Sequence, residues 1–175
     1  MSQKLKDQTL SSEAQAAALG SRVTTGTHIT TSDLSDFDER IRRTINAAWE
    51  KKALNLTVLD LRDIASFTDY FVIASGTNRR QVQAISDEVV EQLKHSGTRA
   101  ARVEGYQTAE WILVDYGDFV VHVFDEKARR FYDLERLWRE ARRADVWPPG
   151  SEISNLKSDE SDQPERDMPR SLTDL

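Results

Sequence analysis

The stretch EGYQTAEWILVDYGDFVVHVF, which runs from Glu104 to Phe124, decides the architecture that we predict for this chain. It contains two apolar runs, 111–114 and 119–124, separated by a turn at Gly117. Apolar runs of this length that are rich in β-branched and aromatic residues are typical of strands covered on both faces. A short glycine-containing turn between two such runs predicts a β-hairpin.

Three polar residues interrupt this hairpin: Asp115, Asp118 and His122. Burying such groups without a partner costs a few kcal/mol, so they are either satisfied internally or face a surface with a use. The hairpin is therefore predicted to be either the floor of a catalytic site or a docking surface.

Composition bounds the class of protein. The chain has 175 residues, which is enough for one domain plus tails. Charged residues make up 31% and apolar residues 38%, which indicates a soluble protein, and no apolar run approaches the ~20 residues of a membrane span. The absence of cysteine excludes disulfides, thiolate catalysis and cysteine-based zinc sites. The first twenty residues lack the apolar core of a secretory signal, so we expect a cytoplasmic location.

The chain divides into three segments by composition. Residues 1–35 are rich in Ser, Thr, Gln and Ala, which predicts a disordered arm, with an ordered element of a homo-oligomer as the alternative. Residues 36–147 carry the periodic apolar patterns of a folded domain. Residues 148–175 contain three basic and seven acidic residues, which indicates a disordered acidic tail.

The domain reads as helix, strand, strand, helix, three strands, helix. This order predicts an α/β fold with a mixed sheet of about five strands and helices packed on it. The final helix is expected to start after Asp125 and to turn apolar positions inward as far as Ala141. The predicted core includes Phe37, Ile41, Ile45, Val82, Ile85, Val89 and Leu137, with Phe131, Leu134 and Trp138 on the apolar stripe of the last helix.

Catalytic groups are scarce in this sequence. Of the three histidines, His28 lies in the arm, His95 lies at a helix end, and His122 lies inside a strand, where a satisfied or interfacial role is the better interpretation. No metal-binding spacing, phosphate-binding loop or dinucleotide fingerprint occurs. We therefore predict no catalytic residue, no metal and no cofactor.

One enzymatic alternative is metal-dependent nucleotidyl transfer. The strand, Gly76 and following helix resemble the start of nucleotidyltransferase folds, which need paired carboxylates to hold two metal ions. Asp87 and Glu88 are adjacent in a helix and face different directions. Asp115 and Asp118 flank a turn without the alternating spacing, so the metal clamp is missing and this alternative is disfavoured.

Nucleic-acid binding is a further alternative. Basic pairs occur at 79–80, 129–130 and 142–143, and the second pair lies beside Tyr132. We interpret these pairs as solvated faces balanced by nearby acids, and we expect any RNA contact to be incidental.

Several segments carry a family resemblance. These are TDYFVIASGT (68–77), VEG (103–105), AEWILVDYGD (109–118), VHVF (121–124) and RFYDLERLW (130–138). In this order and without large gaps they closely resemble the ribosomal silencing factor family, also called the iojap or YbeB type. The resemblance covers residues 37–141 and leaves both tails outside.

The resemblance implies a fold and a function. The fold would be a mixed α/β domain of the nucleotidyltransferase-like type without catalytic carboxylates. Members bind the large ribosomal subunit through ribosomal protein L-fourteen, block association with the small subunit and repress translation when nutrients are short. Relatives in organelles are linked to large-subunit assembly, which is the alternative function. Some members self-associate, so a homodimer that hides the binding surface is also an expectation.

The resemblance also implies a binding surface around Trp111 and Tyr132, although pattern alone favours core packing for Trp111. Strand alternation places Trp111, Leu113 and Asp115 on one face, and Val120, His122 and Phe124 on one face of the next strand. If these faces coincide, they form an aromatic patch with polar residues at its rim. The predicted protein-binding residues are Trp111, Leu113, Phe124, Tyr70 and Tyr132, with Asp69, Glu104, Asp115 and His122 as polar members.

Overall fold

The protein, seen in a computed structural model that describes residues 27–29 and 31–151, is built on one β-sheet. The strands are β1 (Thr27–Ile29), β2 (Leu54–Asp60), β3 (Tyr70–Gly76), β4 (Arg102–Glu104), β5 (Trp111–Asp115), β6 (Phe119–Asp125) and β7 (Arg142–Val146). The helices are a 3-10 helix (Thr31–Asp36), α1 (Glu39–Glu50), α2 (Arg79–His95), α3 (Glu126–Tyr132) and α4 (Leu134–Leu137). None of the helices within the described ranges is long and apolar enough to cross a lipid bilayer.

The sheet is mixed, with the strand order β1-β7-β2-β3-β6-β5-β4. The pairs β1–β7 and β3–β6 are parallel, and the other neighbouring pairs are antiparallel. The predicted mixed α/β architecture is therefore confirmed. The predicted number of about five strands was too low, because seven strands are described.

The hairpin predicted between 111 and 124 is confirmed. β5 and β6 pair antiparallel, with Trp111 opposite Phe124 and Leu113 opposite His122. At the turn, the Asp115 carboxylate accepts a hydrogen bond of 2.8 Å from the backbone N–H of Gly117. Gly117 has φ +90°, a left-handed conformation that glycine adopts without a steric penalty.

One face of the sheet is covered by α1 and α2, and we call it the helical face. Asp38 caps α1 and Asn78 caps α2, each accepting hydrogen bonds from backbone N–H groups of the first turn. The predicted positions in these helices are buried. This core contains Ile41, Ile45, Val82, Ile85, Val89 and Leu93 from the helices, and Val58, Val72, Ala74, Ile112, Val114, Val121 and Val123 from the strands.

The opposite face, which we call the open face, is covered only in part by the short helices α3 and α4 and by the loop between β2 and β3. Its buried residues are Leu59, Leu61, Phe71, Ile73, Val120, Phe124, Leu134 and Ala141. Trp111, Leu113 and Trp138 pack against this cluster and stay partly exposed. The two faces thus share the same strands but differ in cover.

Two strands at one edge were not predicted. β7 follows the segment expected to end as a helix, and its sequence RRADV alternates so that Ala144 and Val146 are buried. β7 pairs antiparallel with the edge of β2. The sequence pattern of residues 142–146 does not indicate which strand they pair with. Thr27–Ile29 then pairs with β7, and residues 31–35 belong to the 3-10 helix, so the prediction of disorder is wrong for the described part of the arm. The rest of the predicted arm before residue 27, and the predicted tail after residue 151, lie outside the described residues.

The last predicted helix is broken at Asp133. This residue has φ 43° and ψ 61°, ends α3, and caps α4 through its side chain. The break changes the helical phase, so the apolar stripe predicted across it does not form. Phe131 is 80% exposed and Leu137 is 71% exposed, and the prediction that both are buried is wrong.

Candidate functional site

Three aromatic rings meet on the open face and form what we call the aromatic cluster: Trp111, Phe124 and Tyr132. The Trp111 ring stacks on Phe124 with centroids 4.9 Å apart at 25°, and Tyr132 packs on Trp111 at 4.8 Å and 47°. Phe124 is fully buried, Trp111 is partly exposed and Tyr132 is 49% exposed. The cluster therefore has a buried floor and an accessible outer surface.

His122 lies inside this face and not at its rim, so the predicted rim position is wrong. It is 4% exposed, and its Nδ1 accepts a hydrogen bond of 3.1 Å from Trp111 Nε1–H. Burial lowers the pKa of His122 to about 4. The imidazole is consequently neutral at physiological pH.

The polar rim beside the aromatic cluster comes from β4 and the end of β5. Glu104 lies opposite Leu113, and Arg102 lies opposite Asp115, so these side chains share the open face. The Arg102 guanidinium lies 3.1 Å from the Glu104 carboxylate and 3.4 Å from the Asp115 carboxylate. Sequence reasoning identified both acids but missed the arginine between them.

Two predicted binding residues lie elsewhere. Tyr70 is on the helical face, where its ring meets Phe37 edge-on at 6.2 Å and lies under the Arg62 guanidinium at 5.0 Å. Asp69 precedes the residue that pairs with Phe119, which is five positions along β6 from Phe124. Asp69 itself is therefore six positions from the level of Phe124, which at about 3.3 Å per strand residue separates it from the aromatic cluster by roughly 20 Å along the sheet.

The exposed apolar surface of the open face extends beyond the predicted patch. Phe131 meets Tyr132 edge-on at 5.1 Å, and Leu137 is exposed on α4. Phe67 is 61% exposed and packs on Trp138 at 5.9 Å. Asp133, a good N-cap residue inside the predicted helix, was the sequence signal that could have revealed the break and hence this exposure.

A partly buried ion pair between Arg129 and Glu135 holds α3 and α4 on the sheet. Arg129 donates from Nε to Glu135 at 2.9 Å, from Nη1 to Ser75 Oγ at 3.0 Å, and from Nη2 to Thr57 Oγ1 at 3.2 Å. Burial lowers the pKa of the Arg129 guanidinium, against the opposing effect of the Glu135 carboxylate. The predicted solvated position of Arg129 is wrong. By fixing α3 next to β3, this residue also fixes the position of Tyr132.

A cleft of about 510 Å³ lies beside this ion pair. Its wall contains three arginines and three carboxylates, so the cleft has no excess of positive charge for an anionic ligand. These residues are Arg129, Arg130, Arg143, Glu126, Glu135 and Asp145.

The carboxylates considered for a metal clamp each have a different partner. Asp87 accepts from the Tyr106 hydroxyl at 2.9 Å, and Glu88 pairs with Lys51 at 2.9 Å. Asp115 pairs with Arg102, as described above, and Asp118 pairs with Arg40 at 2.5 Å. Within residues 27–29 and 31–151, no group of three or more His, Cys, Asp or Glu side chains is placed to hold a metal ion.

Comparison with known proteins identifies the relatives of this chain. Residues 35–173 match the family model described as "Ribosomal silencing factor during starvation". A Bacillus subtilis protein named ribosomal silencing factor RsfS is 42% identical over 100 residues, which are 57% of this chain and 85% of that protein. A mouse protein named mitochondrial assembly of ribosomal large subunit protein 1 is 34% identical over 92 residues, or 51% of this chain and 40% of that protein. A crystal structure of a Chromobacterium violaceum protein, 32% identical, superimposes with a TM-score of 0.57 over 68% of this chain and 94% of the other.

Proposed function

Because this chain belongs to the ribosomal silencing factor family, we propose that it binds the large ribosomal subunit and represses translation by keeping the small subunit from joining. The contact is ribosomal protein L-fourteen, and repression operates when nutrients are limiting. The observation that carries the proposal is the aromatic cluster on the open face, with Trp111 and Tyr132 accessible above a buried Phe124.

The chemistry of the aromatic cluster suits protein docking. Tryptophan and tyrosine are enriched among the few residues that supply most of the binding energy of protein interfaces. Here both rings rest on a buried ring, which restricts the planes in which they lie and so lowers part of the entropy cost of binding. Phe131 and Leu137 extend the accessible apolar area. The mechanism is steric: a domain that occupies the joining surface of the large subunit excludes the small subunit without any chemical step.

The charges at the rim suit a basic partner. Glu104 and Asp115 outnumber Arg102 on this part of the open face. Ribosomal proteins are commonly basic, so the two carboxylates orient the partner and raise the rate of association. Because the Glu104 side chain is exposed, this contribution weakens as salt concentration rises.

We propose no catalytic activity for this protein. The relatives are named as silencing factors, and each carboxylate that could have belonged to a metal clamp is bonded to its own partner. We place the protein in the cytoplasm, where bacterial ribosomes are found, and the binding surface within residues 36–147.

Assembly of the large subunit is the second candidate function. It is favoured by the similarity to the mouse protein whose name refers to assembly of the mitochondrial large subunit. An assembly factor would use the same aromatic cluster but would leave the joining surface of the finished subunit free.

Co-sedimentation with purified large subunits tests the proposed contact. The variant Trp111→Ala with Tyr132→Ala should lose binding while keeping its circular dichroism spectrum. Tyr106→Ala is the matched control, because Tyr106 is an exposed aromatic residue bonded to Asp87 on α2 and away from the aromatic cluster. Undiminished binding by the double variant would overturn the proposed surface.

A subunit-joining assay separates silencing from assembly. Purified small and large subunits are mixed with and without the protein, and joining is followed by light scattering. A silencing factor lowers the fraction of joined ribosomes, whereas unchanged joining with intact binding favours the assembly role. Binding that strengthens on dilution of a concentrated stock of the protein would further support a homodimer that covers the aromatic cluster.

A further inference from the structure

Core packing alone does not explain why a histidine occupies position 122. Its Nδ1 accepts from Trp111 Nε1–H, so the proton of the neutral ring is on Nε2. In the part of the chain that the structure describes, no group accepts a hydrogen bond from this buried Nε2. An unsatisfied buried donor is costly, and an apolar side chain of similar shape would avoid the cost. Stability alone therefore does not account for a histidine here.

The backbone of Trp111 is already fixed from both sides. It pairs with Phe124 on β6, and the backbone N–H of Asp125 donates to Glu110 O at 2.9 Å. On the other side, Gly105 approaches so closely that a Cβ on it would lie 2.0 Å from the Trp111 carbonyl oxygen. The freedom that remains at this position belongs to the indole ring.

Stacking restrains the indole only in part. Phe124 and Tyr132 both pack on the ring, at 4.9 Å and 4.8 Å, and this restrains the plane in which the ring lies. Stacking does not distinguish the two long edges of the indole, however, and a half-turn about the bond to the ring would keep the plane. The hydrogen bond to His122 does distinguish them, because Nε1 belongs to one edge.

We propose that His122 is a positioning residue for the docking surface: its neutral imidazole holds the Trp111 indole in one orientation before the partner arrives. This inference rests on the proposed function. The bond also satisfies the indole N–H internally, so the partner meets an apolar ring and needs no acceptor for it. Pre-ordering an aromatic side chain lowers the entropy that binding must overcome.

The orientation is tested first in the free protein by nuclear magnetic resonance. Nitrogen-labelled wild-type protein should show a scalar coupling between Trp111 Nε1 and His122 Nδ1 across the hydrogen bond. The indole signal is assigned with Trp111→Phe, and its proton should exchange slowly with water. Absence of the coupling, together with fast exchange, would overturn the proposal without any ribosome being involved.

Binding to purified large subunits is then compared between variants. His122→Leu removes the acceptor and fills a similar volume, and it should weaken binding by about threefold to tenfold. His122→Asn keeps an acceptor near the position of Nδ1 and should restore most of the affinity. Ile73→Val is the matched control for stability, because Ile73 pairs with His122 across the sheet, is fully buried and makes no bond to Trp111.

A double-variant cycle shows whether His122 acts through Trp111. In the Trp111→Phe background, which lacks the donor, His122→Leu should cause no further loss of binding. An equal loss in both backgrounds would overturn the positioning role. If His122→Leu binds like the wild type while Trp111→Ala fails to bind, the positioning role is wrong and the docking surface stands. If Trp111→Ala also binds normally, the proposed docking surface fails, and if the wild type does not bind large subunits, the proposed function itself fails.

Discussion

The helical face and the open face of the sheet are built from alternate residues of the same strands, yet they end in different environments. On the helical face, α1 and α2 bury an aliphatic core with Ile41, Ile85 and Val121 at its centre. On the open face, α3 and α4 have seven and four residues and leave Trp111 and Tyr132 partly or half exposed. The residues of the helical face therefore stabilise the fold, whereas the open face leaves aromatic residues available to a partner.

The ionisable side chains with little exposure to solvent lie mainly on the open face. The open face contains the partly buried Arg129–Glu135 pair and the buried His122, each within the layer that supports the aromatic cluster. Buried polar groups are costly unless they are paired, and they stabilise less than apolar packing of the same volume. Their concentration below the aromatic cluster is consistent with a role in fixing that surface.

The largest effect is expected on the helical face. Ile85 is fully buried between α2 and the sheet, and Ile85→Ala should lower the free energy of unfolding by about 4 kcal/mol, through lost transfer energy and the cavity left behind. Urea titration followed by circular dichroism measures this decrease in the free energy of unfolding. At urea concentrations where the variant stays folded, its affinity for large subunits should be unchanged. A selective loss of affinity in folded Ile85→Ala would mean that the two faces are not separate in function.

An intermediate effect is expected from the buried histidine of the open face. Burial lowers the pKa of His122 from an ordinary 6.5 to about 4. Between these values the unfolded chain binds a proton that the folded protein excludes, so stability is greatest above pH 6.5 and falls as the pH decreases toward 4. From pH 7 to pH 5 the contribution is about 2 kcal/mol.

His122→Asn is the matched control for this pH dependence, because asparagine does not titrate. Urea titrations at pH 7 and pH 5 measure how much unfolding free energy each protein loses on acidification. The loss should be larger in the wild type than in His122→Asn by about 2 kcal/mol. An equal loss in both proteins would mean that His122 takes up a proton readily in the folded state, which contradicts its burial without a charged partner.

The smallest effect on stability is expected at the exposed end of the open face. Phe131 is 80% exposed, and Phe131→Ala should change the free energy of unfolding by less than about 0.5 kcal/mol. If the docking surface extends from the aromatic cluster onto α3, the same variant should weaken binding to large subunits by about threefold or more. Unchanged binding would confine the surface to Trp111 and Tyr132, and a large loss of stability would contradict the exposed position.

Much of the fold could be predicted where one local pattern decided it. The hairpin from Trp111 to Phe124 is confirmed down to the shared face of its alternate residues, because strand alternation has a fixed period of two. The helical face is confirmed because α1 and α2 repeat apolar residues at helical spacing between good caps. The surface of the last helix was mispredicted because Asp133 adopts a left-handed conformation that shifts the helical phase.

The mixed α/β class, the strand alternation that groups Trp111 with Phe124, and the family to which the chain belongs could all be predicted from the amino-acid sequence. These depend on local periodicity and on motifs that persist in order along the chain. Three features became visible in the folded protein alone: β7 pairs with the edge of β2, His122 accepts a hydrogen bond from Trp111, and Tyr70 lies on the helical face. Each of these depends on which distant segments become neighbours, and pairing between strands is not encoded in the pattern of either strand alone.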